Sequence, residues 1–311
     1  MRQNIIIDTD PGQDDAVAIL LALASPELEV LGITCVAGNV PLTKTIYNAR
    51  QICELSGKIK TPIFAGCDRP MRRDLTTAEH VHGKTGLDGV TLPEPKIKIE
   101  TTHAVDFIIE TLRASPSKSI TLCPLGPLTN IGTALKKAPD IADRVQKIVL
   151  MGGAYFEVGN ITPAAEFNIY VDPEAAEIVF KSGIELIVAP LDVTHKVLTN
   201  NEWVSELKTQ DNYICNVVAA WTSFFERFDT EKYGTQGAPL HDPCVIAYLI
   251  DPDLFAGRSI NVEIETKSKL TRGMTVADWW GVTDRSINAL FLNDVDATGY
   301  FKLITDRLTK L

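Results

Sequence analysis

The order of apolar and polar positions predicts strands and helices in alternation over the first two hundred residues. Three β-branched residues, Ile5 to Ile7, predict a short buried strand, and the apolar run after Asp15 predicts a helix. Further strands are predicted at Leu28–Val36, Pro62–Ala65, Ile120–Leu125, Ile148–Met151 and Ile184–Pro190. Helices are predicted at Leu42–Leu55, at His103–Ala114, after Pro127 and from Pro173. This alternation predicts the α/β class, with a doubly wound, mostly parallel, Rossmann-like sheet and helices on both faces.

The pattern changes beyond Asn200. Longer helices are predicted at Asn201–Phe228 and Pro243–Ile250, then a strand at Ile260–Glu265 and an amphipathic helix near Ala297–Leu311. Residues 68–101 are rich in Pro, Gly and charge and predict a long functional loop. No linker, repeat or low-complexity segment interrupts the chain. We therefore expect residues 1–311 to form one domain with a helical C-terminal addition.

Acidic residues crowd the end of the first predicted strand. Four aspartates lie within eight positions, at Asp8, Asp10, Asp14 and Asp15. In an open α/β sheet the carboxyl ends of the strands face one ligand-binding crevice. Carboxylates held so close together repel one another unless a cation such as Ca²⁺ or Mg²⁺ shares the site. A local alternative stays open, with Asp14 as a helix N-cap and Asp8 or Asp10 closing a turn.

Two further polar groups are candidates for chemistry. Glu166 and Asn168, with Asn160 before them, offer a carboxylate and amides that suit the hydroxyls of a vicinal diol, although polar loops are usually solvated. His241-Asp242-Pro243 precedes an apolar helix, so Asp242 is either a helix cap or an additional oxygen ligand. His80 and His82 lie in the long loop, where a mobile segment can deliver a proton donor.

Charge and cysteine content narrow the function classes. The 311-residue chain has a formal net charge of −10, which argues against nucleic acid or an anionic membrane as partner and is compatible with a small neutral substrate and a metal. None of the six cysteines forms a CxxC pair, no signal peptide fits before the first strand, and no apolar run has transmembrane length. We expect a reduced, cytoplasmic protein. The absence of GxGxxG after the first strand argues against a dinucleotide.

Several motifs together resemble the inosine–uridine-preferring nucleoside hydrolase family. They are DTDPGQDDA near the N-terminus, AGN ending at Asn39, VHG at 81–83, LMGGAY at 150–155, AEFNIYVDPEAA around Glu166 and HDPC at 241–244. The motifs are collinear and cover nearly the whole chain. The resemblance implies hydrolysis of the N-glycosidic bond of ribonucleosides to ribose and free base, with a tightly held Ca²⁺. It also implies a homodimer or homotetramer.

The same resemblance implies a role for individual residues. The Ca²⁺ ligands would be Asp10, Asp15, Asp242 and the backbone carbonyl of Leu125, with Asp10 as general base towards a metal-bound water. The ribose would be bound by Asp14, Asn39, Asn160, Glu166 and Asn168, with Met151 lining the sugar. His241 would protonate the leaving base, His82 and Tyr233 would close over it, and Phe167 would pack against base or ribose.

Base preference and two rival functions remain open at this stage. Tyr233 is similar to the pyrimidine-handling members, whereas Asp229 stands where the family often has an aromatic residue or an amide, so we expect pyrimidine-leaning or broad specificity. One rival is a phosphatase of the haloacid dehalogenase type, which also begins with a strand and DxD. The other is a protein that binds nucleosides or sugars without catalysis.

Overall fold

The fold is built around an eight-stranded sheet that is parallel except at one edge. The computed structural model describes residues 2–234 and 237–311, without the side chains of Asp229, Lys232 and Tyr233. The strands are β1 (Gln3–Thr9), β2 (Leu28–Cys35), β3 (Ile63–Ala65), β4 (Ile120–Pro124), β5 (Val145–Met151), β6 (Leu186–Ala189), β7 (Phe255–Ile260), β8 (Val262–Ile264), β9 (Thr275–Ala277) and β10 (Ala289–Val295). The large sheet has the order β3-β2-β1-β4-β5-β6-β10-β7, and β8 pairs with β9 in a separate antiparallel ribbon.

Helices connect the strands and cover both faces of the sheet. They are α1 (Gln13–Ala24), α2 (Leu42–Leu55), α3 (Glu79–His82), α4 (Ala104–Ala114), α5 (Thr129–Lys137), α6 (Phe167–Val171), α7 (Pro173–Phe180), α8 (Leu191–Thr194), α9 (Asn201–Thr209), α10 (Tyr213–Tyr233), α11 (Pro243–Ile250) and α12 (Ala297–Leu308). Short 3₁₀ turns lie at Pro139–Arg144 and Pro252–Leu254. The predicted doubly wound α/β class is confirmed. Within the residues described, no helix combines the length and apolarity that a membrane span requires.

The alternation of side chains along β1 divides the apolar core into two layers. Ile5 and Ile7 pack with α1, α2 and the C-terminal helices on one face, whereas Ile6 packs with α4, α5 and α7 on the other. All three isoleucines are fully buried, which stabilises the fold by about 2 kcal/mol for each side chain. The central strand is therefore fixed from both faces, and its C-terminal end is held rigidly.

The strand order places the functional residues at a topological switch point. From β1 the chain proceeds to β2 and β3 on one side, and β4 then pairs with β1 on the other side. The N–H of Leu125 just past β4 donates to the carbonyl of Asp8 at 2.7 Å, and the N–H of Val36 just past β2 donates to Thr9 at 3.0 Å. The strand ends carrying Asp8, Val36 and Leu125 thus meet at one crevice.

Three expectations from the sequence differ from the structure. The helix predicted at Asn201–Phe228 is two helices, because the chain turns at Asp211, whose φ is +44°, and Asn212 caps α10. The strand predicted at Ile260–Glu265 is the end of β7 and the whole of β8, which belong to different sheets. The C-terminal addition ends in the predicted helix α12, but β7 and β10 also extend the large sheet, which the sequence pattern did not indicate.

Candidate active site

The acidic cluster is built by the turn that joins β1 to α1. Asp10, Pro11 and Gly12 form the turn, and α1 begins with Asp14 and Asp15 in its first turn. The carboxylate of Asp15 accepts hydrogen bonds from the Gly12 N–H at 2.9 Å and the Thr9 hydroxyl at 2.5 Å. Asp15 therefore caps the helix, and the positive end of α1 favours negative charge at this position. Asp14 is not the N-cap, since Gly12 occupies that place.

Asp242 joins this cluster from the far end of the chain. It occupies the N-cap position of α11, but its side chain makes no capping hydrogen bond. Instead the carboxyl of Asp242 is hydrogen-bonded to Asp15. Oxygen atoms of Asp14, Asp15 and Asp242 lie within 4.8 Å of one another. All three side chains are buried. The capping alternative for Asp242 is therefore wrong, and the residue is available to the site.

Asp10 lies against the same cluster in a tightly packed position. One carboxylate oxygen accepts the Asn39 N–H at 2.6 Å, and the other, Oδ1, is buried without a hydrogen-bond partner among the residues described. A Cβ atom at Gly38 or at Gly126 would overlap the two oxygens of Asp10. Because both neighbours are glycine, the backbones of the β2 and β4 loops approach the carboxylate closely.

The cluster has the properties of a site for a hard cation. Burial raises the pKa of Asp10 and of Asp242 well above the ordinary value, and like charge on neighbouring aspartates raises both further. Burial also raises the pKa of Asp15. A divalent ion would neutralise the repulsion between the carboxylates, and the unpartnered Oδ1 of Asp10 would coordinate it. The donors are all oxygen atoms, so the residues fit Ca²⁺ or Mg²⁺ better than a soft metal.

Most of the predicted site residues line a single cavity of about 320 Å³ next to this cluster. Those that line it are Asp14, Asn39, His82, Leu125, Met151, Asn160, Glu166, Phe167, Asn168, His241 and Asp242. Asp10 and Asp15 lie behind them, held by Asn39, whose Nδ2 donates to the carbonyl of Asp10 and to the carboxylate of Asp15 at 3.2 Å each. Segments distant in sequence thus form one pocket large enough for a small molecule.

The second predicted set contributes amides and a carboxylate to this cavity. Asn168 donates from Nδ2 to the carbonyl of Leu125 at 2.7 Å and to that of Met151 at 3.3 Å. Glu166 caps α6 and accepts the N–H groups of Gly153, Asn168 and Ile169, so the solvated-loop alternative is wrong for it. Burial raises the pKa of Glu166 to about 7. Both residues are buried and fixed before any ligand arrives.

His82 is fixed by a residue that the sequence analysis missed. The Oε1 atom of Gln13 accepts a hydrogen bond from Nδ1 of His82 at 2.7 Å, and the Nε2 atom of Gln13 donates to the carbonyls of His82 and Asp88 at 3.0 Å each. The His82 ring also stacks on Phe225, with centroids 5.4 Å apart. Burial lowers the pKa of His82 to about 3, so its ring is neutral at neutral pH. Gln13 gave no signal because a glutamine at the start of a helix is normally solvated.

His241 stands beside a second histidine that was also missed. Its Nδ1 lies 2.7 Å from the Thr194 hydroxyl, and its ring centroid is 5.8 Å from that of His195. Burial, followed by the proximity of His195 and His82, lowers the pKa of His241 well below the ordinary value. Thr194 and His195 follow shortly after β6, and a position just past the end of a parallel strand is the one signal in the sequence that could have found them. His80 lines the cavity too.

Two predicted residues cannot be placed. The side chains of Asp229 and Tyr233 lie outside the described residues, so their contact with a base stays a prediction.

Asn130 was not predicted, yet its Nδ2 donates to Asp8 at 2.8 Å and to the carbonyl of Cys35 at 3.1 Å, and it thereby ties β1 to β2 beneath the site. Asp8 supports the strand ends rather than lining the cavity.

Comparison with known proteins identifies the family to which this arrangement corresponds. The family model described as inosine-uridine preferring nucleoside hydrolase matches residues 5–302. A protein of Schizosaccharomyces pombe with no assigned function is 50% identical over 307 residues, which are 99% of each chain. The pyrimidine-specific ribonucleoside hydrolase RihA of Photobacterium profundum is 46% identical over 309 residues, again 99% of each chain.

Solved structures give the same result. A purine-preferring ribonucleoside hydrolase from Gardnerella vaginalis superposes with a TM-score of 0.92 at 34% identity, covering 99% of this chain and 98% of that one. A plant nucleoside hydrolase also superposes with a TM-score of 0.92 at 34% identity, covering 99% of both chains. These matches exclude the first rival, a haloacid dehalogenase-type phosphatase, and they favour an enzyme over the second, a binding protein without catalysis on the same scaffold.

Proposed function

The chain belongs to the inosine-uridine preferring nucleoside hydrolase family, and on that premise we propose that it hydrolyses pyrimidine ribonucleosides with the help of a calcium ion. As an N-ribosyl hydrolase it acts on small-molecule nucleosides. The observation that carries the proposal is the meeting of Asp15 and Asp242 at the floor of the cavity, because it creates an oxygen-rich site beside a pocket of nucleoside size. The pyrimidine preference is supported by relatives such as RihA at 46% identity, which are named pyrimidine-specific.

The residues that would hold the ion are Asp10, Asp15, Asp242 and the carbonyl of Leu125, with Asp14 close enough to contribute an oxygen. When bound there, the ion supplies a water molecule of lowered pKa and neutralises the buried carboxylates. Calcium is favoured over magnesium because it takes more oxygen ligands, and the cluster offers several carboxylate oxygens close together.

Asp10 is the general base in this proposal. Its Oδ1 is buried without a hydrogen-bond partner among the described residues, whereas Oδ2 is fixed by the Asn39 N–H. Oδ1 offers two lone pairs, one for the ion and one for the proton that the attacking water loses. Burial raises the pKa of this carboxyl well above its ordinary value, and a cation held at the same site would lower that pKa again, so that the carboxylate is ionised and able to accept a proton.

The ribose is held by side chains that the structure already fixes. Asp14, Asn39 and Asn168 present a carboxylate and amides to the hydroxyls, while Asn160 and Glu166 bind from the loop before α6. Met151 and Phe167 provide apolar contact. Cleavage of the glycosidic bond builds positive charge on the sugar, and an anionic pocket stabilises that transition state.

His241 is the proposed donor to the departing base. The contact with the Thr194 hydroxyl holds the ring by Nδ1 and leaves Nε2 for the substrate. The low pKa of His241 keeps the resting ring neutral, so transfer of a proton to the departing base requires that the bound substrate first raises this pKa and the ring takes up a proton. His82 is neutral as well and contributes a hydrogen bond and a flat surface against the base.

A nucleoside panel assayed with and without a calcium chelator tests the proposal. We expect release of uracil and cytosine from their ribonucleosides to exceed purine release, and we expect chelation to abolish the activity and added calcium to restore it. Base release that is insensitive to exhaustive chelation would contradict the metal assignment. A clear purine preference would contradict the pyrimidine assignment alone.

Asp10→Asn tests the role of the base. The amide keeps the shape of the side chain but cannot accept a proton, so we expect kcat for uridine to fall by about three orders of magnitude with unchanged melting behaviour. Asp294→Asn, at an exposed aspartate paired with Lys196, is the matched control and should keep wild-type activity. Near-normal turnover by Asp10→Asn would remove Asp10 from the mechanism.

We also propose that the protein is a homodimer or homotetramer. Several large apolar side chains in residues 280–287 are exposed, namely Trp280, Val282 and Ile287. Such exposure is more typical of an interface than of a monomer surface. Light scattering at micromolar concentration tests this, and a mass of one chain would contradict it.

A further inference from the structure

Glu157 and His195 form a bonded pair on the wall of the cavity, and this pair has no part in the mechanism above. Glu157 Oε2 lies 3.0 Å from Nδ1 of His195, and both residues line the cavity. The Glu157 side chain is 45% exposed, whereas Asp14, Asp15 and Asp242 are almost completely buried. Glu157 and His195 therefore belong to the mouth of the cavity, and the aspartates belong to its floor.

The segment that carries Glu157 is held in place by a buried carboxylate. Asp192 accepts the N–H of Tyr155 at 2.9 Å, that of Phe156 at 2.6 Å and that of Glu157 at 3.3 Å. Asp192 lies in α8, which ends at Thr194 directly before His195, so one residue fixes the backbone of both Glu157 and His195. The backbone of Glu157 is thus fixed in the wall, and its carboxylate is held there by His195.

The stereochemistry of a ribonucleoside indicates which part of the substrate meets this wall. The 2′- and 3′-hydroxyls lie on one face of the ribose ring, and the base and the 5′-carbon lie on the opposite face. Hydroxyls held at the floor therefore direct both the base and the 5′-carbon towards the mouth. The flat side of the mouth, formed by His82 and Phe225, suits the base, which leaves the polar segment from Glu157 to Asn160 for the 5′-carbon.

The negative charge of Glu157, beside the expected position of the 5′-carbon, bears on whether a nucleoside or a nucleotide can bind. No lysine or arginine stands among the described residues that line the cavity, and the Nδ1 atom of the His195 imidazole, which could otherwise bind a phosphate oxygen, is already bonded to Glu157. We propose that Glu157, paired with His195, makes the enzyme reject nucleoside 5′-phosphates and accept a free 5′-hydroxyl. This inference rests on the proposed function and names the residue that limits its substrate class.

Glu157→Gln tests the inference through the inhibition constant of uridine 5′-monophosphate relative to the KM of uridine. Removing the negative charge relieves its repulsion of the phosphate and frees His195, so we expect this ratio to fall about tenfold. Glu94→Gln, at an exposed glutamate bonded to Tyr47, is the matched control and should keep the wild-type ratio. A Glu157→Gln ratio equal to the wild-type ratio would overturn the inference.

His195→Asn provides a test of opposite sign. It removes the imidazole that is bonded to the Glu157 carboxylate and leaves that negative charge free to repel a phosphate, so the same ratio should rise. A fall in this variant would mean that shape, not charge, sets the preference, and would also overturn the inference. If wild-type protein fails to hydrolyse uridine, the proposed function fails instead, and calorimetric affinities for uridine and its 5′-monophosphate still test the role of Glu157 in the same variants.

Discussion

Several buried carboxylates in this molecule act in local structure and face the site at the same time. Asp15 caps α1 and belongs to the acidic cluster, and Glu166 caps α6 and lines the cavity. A capping role and a functional role are therefore not alternatives for these residues. The hydrogen bonds of the cap hold each carboxylate in one orientation, so that ligand binding does not have to order it.

His82 shows how burial fixes the charge of a residue in the cavity. The unfolded chain takes up a proton on this histidine as the pH falls below about 6.5, whereas the buried ring stays neutral down to a pKa of about 3. Acidification between these values therefore favours the unfolded chain. The contribution of His82 to stability is present above pH 6.5 and is lost as the pH falls towards 3.

The pH dependence of unfolding should change when His82 is replaced. Between pH 7 and pH 5 we expect His82→Gln to lose about 2 kcal/mol less of its free energy of unfolding than the wild type, because glutamine does not titrate. Urea unfolding at the two pH values measures this difference. His103→Asn, at an exposed histidine that caps α4, should keep the wild-type dependence. Identical pH dependence for His82→Gln and wild type would contradict the neutral assignment.

At the scale of elements, one side chain of α1 holds the long loop over the cavity. Gln13 is buried and bonds the backbone at both His82 and Asp88, together with the His82 ring. Asn48 of α2 adds bonds to the carbonyls of Pro11 and Thr85 at 2.9 Å each. The loop around α3 is therefore fastened to the same helix that begins with Asp14 and Asp15.

Gln13→Ala should weaken substrate binding more than chemistry. The variant loses about three hydrogen bonds that position His82, and we expect KM for uridine to rise about tenfold with a smaller change in kcat. Gln51→Ala is a matched control, because Gln51 bonds the carbonyls of Leu92 and Pro93 at the surface end of the same loop. Steady-state kinetics of both variants provides the measurement, and equal KM values for the two would contradict the positioning role.

The elements that the sequence predicted best are those whose signal is local. The strand around Ile5–Ile7 and the helix Leu42–Leu55 match β1 and α2 because their apolar spacing alone specifies them. The edge strand β7 and its neighbour β10 were missed, since β7 is largely exposed and lacks an apolar run. The site residues found from sequence are charged or belong to motifs, whereas Gln13, Thr194 and Asn130 act only through contacts made across the fold.

At the scale of the whole molecule, the cation site joins the two ends of the chain. Asp15 and Asp242 are separated by 227 positions, the difference of their numbers, yet they are in hydrogen-bonding contact. Their mutual repulsion opposes the folded state until a cation binds. Binding energy at this site is therefore also folding energy, because the unfolded chain has no such cluster.

Added calcium should raise the melting temperature of the protein. At a concentration one hundred times Kd, linkage predicts about 2.7 kcal/mol of stabilisation, which corresponds to a rise of about 5 °C for a chain of this size. Differential scanning calorimetry of chelator-treated and calcium-loaded protein measures the shift. Asp242→Asn should show a much smaller shift, and an unchanged melting temperature in the wild type would contradict a resident ion.

The separation of Asp15 from Asp242 also has a consequence for biosynthesis. At about 5–20 residues per second, a ribosome needs about 10–45 s to proceed from the first aspartate to the second. A nascent chain consequently carries an incomplete acidic cluster for most of its translation. Prematurely terminated products that end before α11 lack Asp242, so their acidic cluster is never completed.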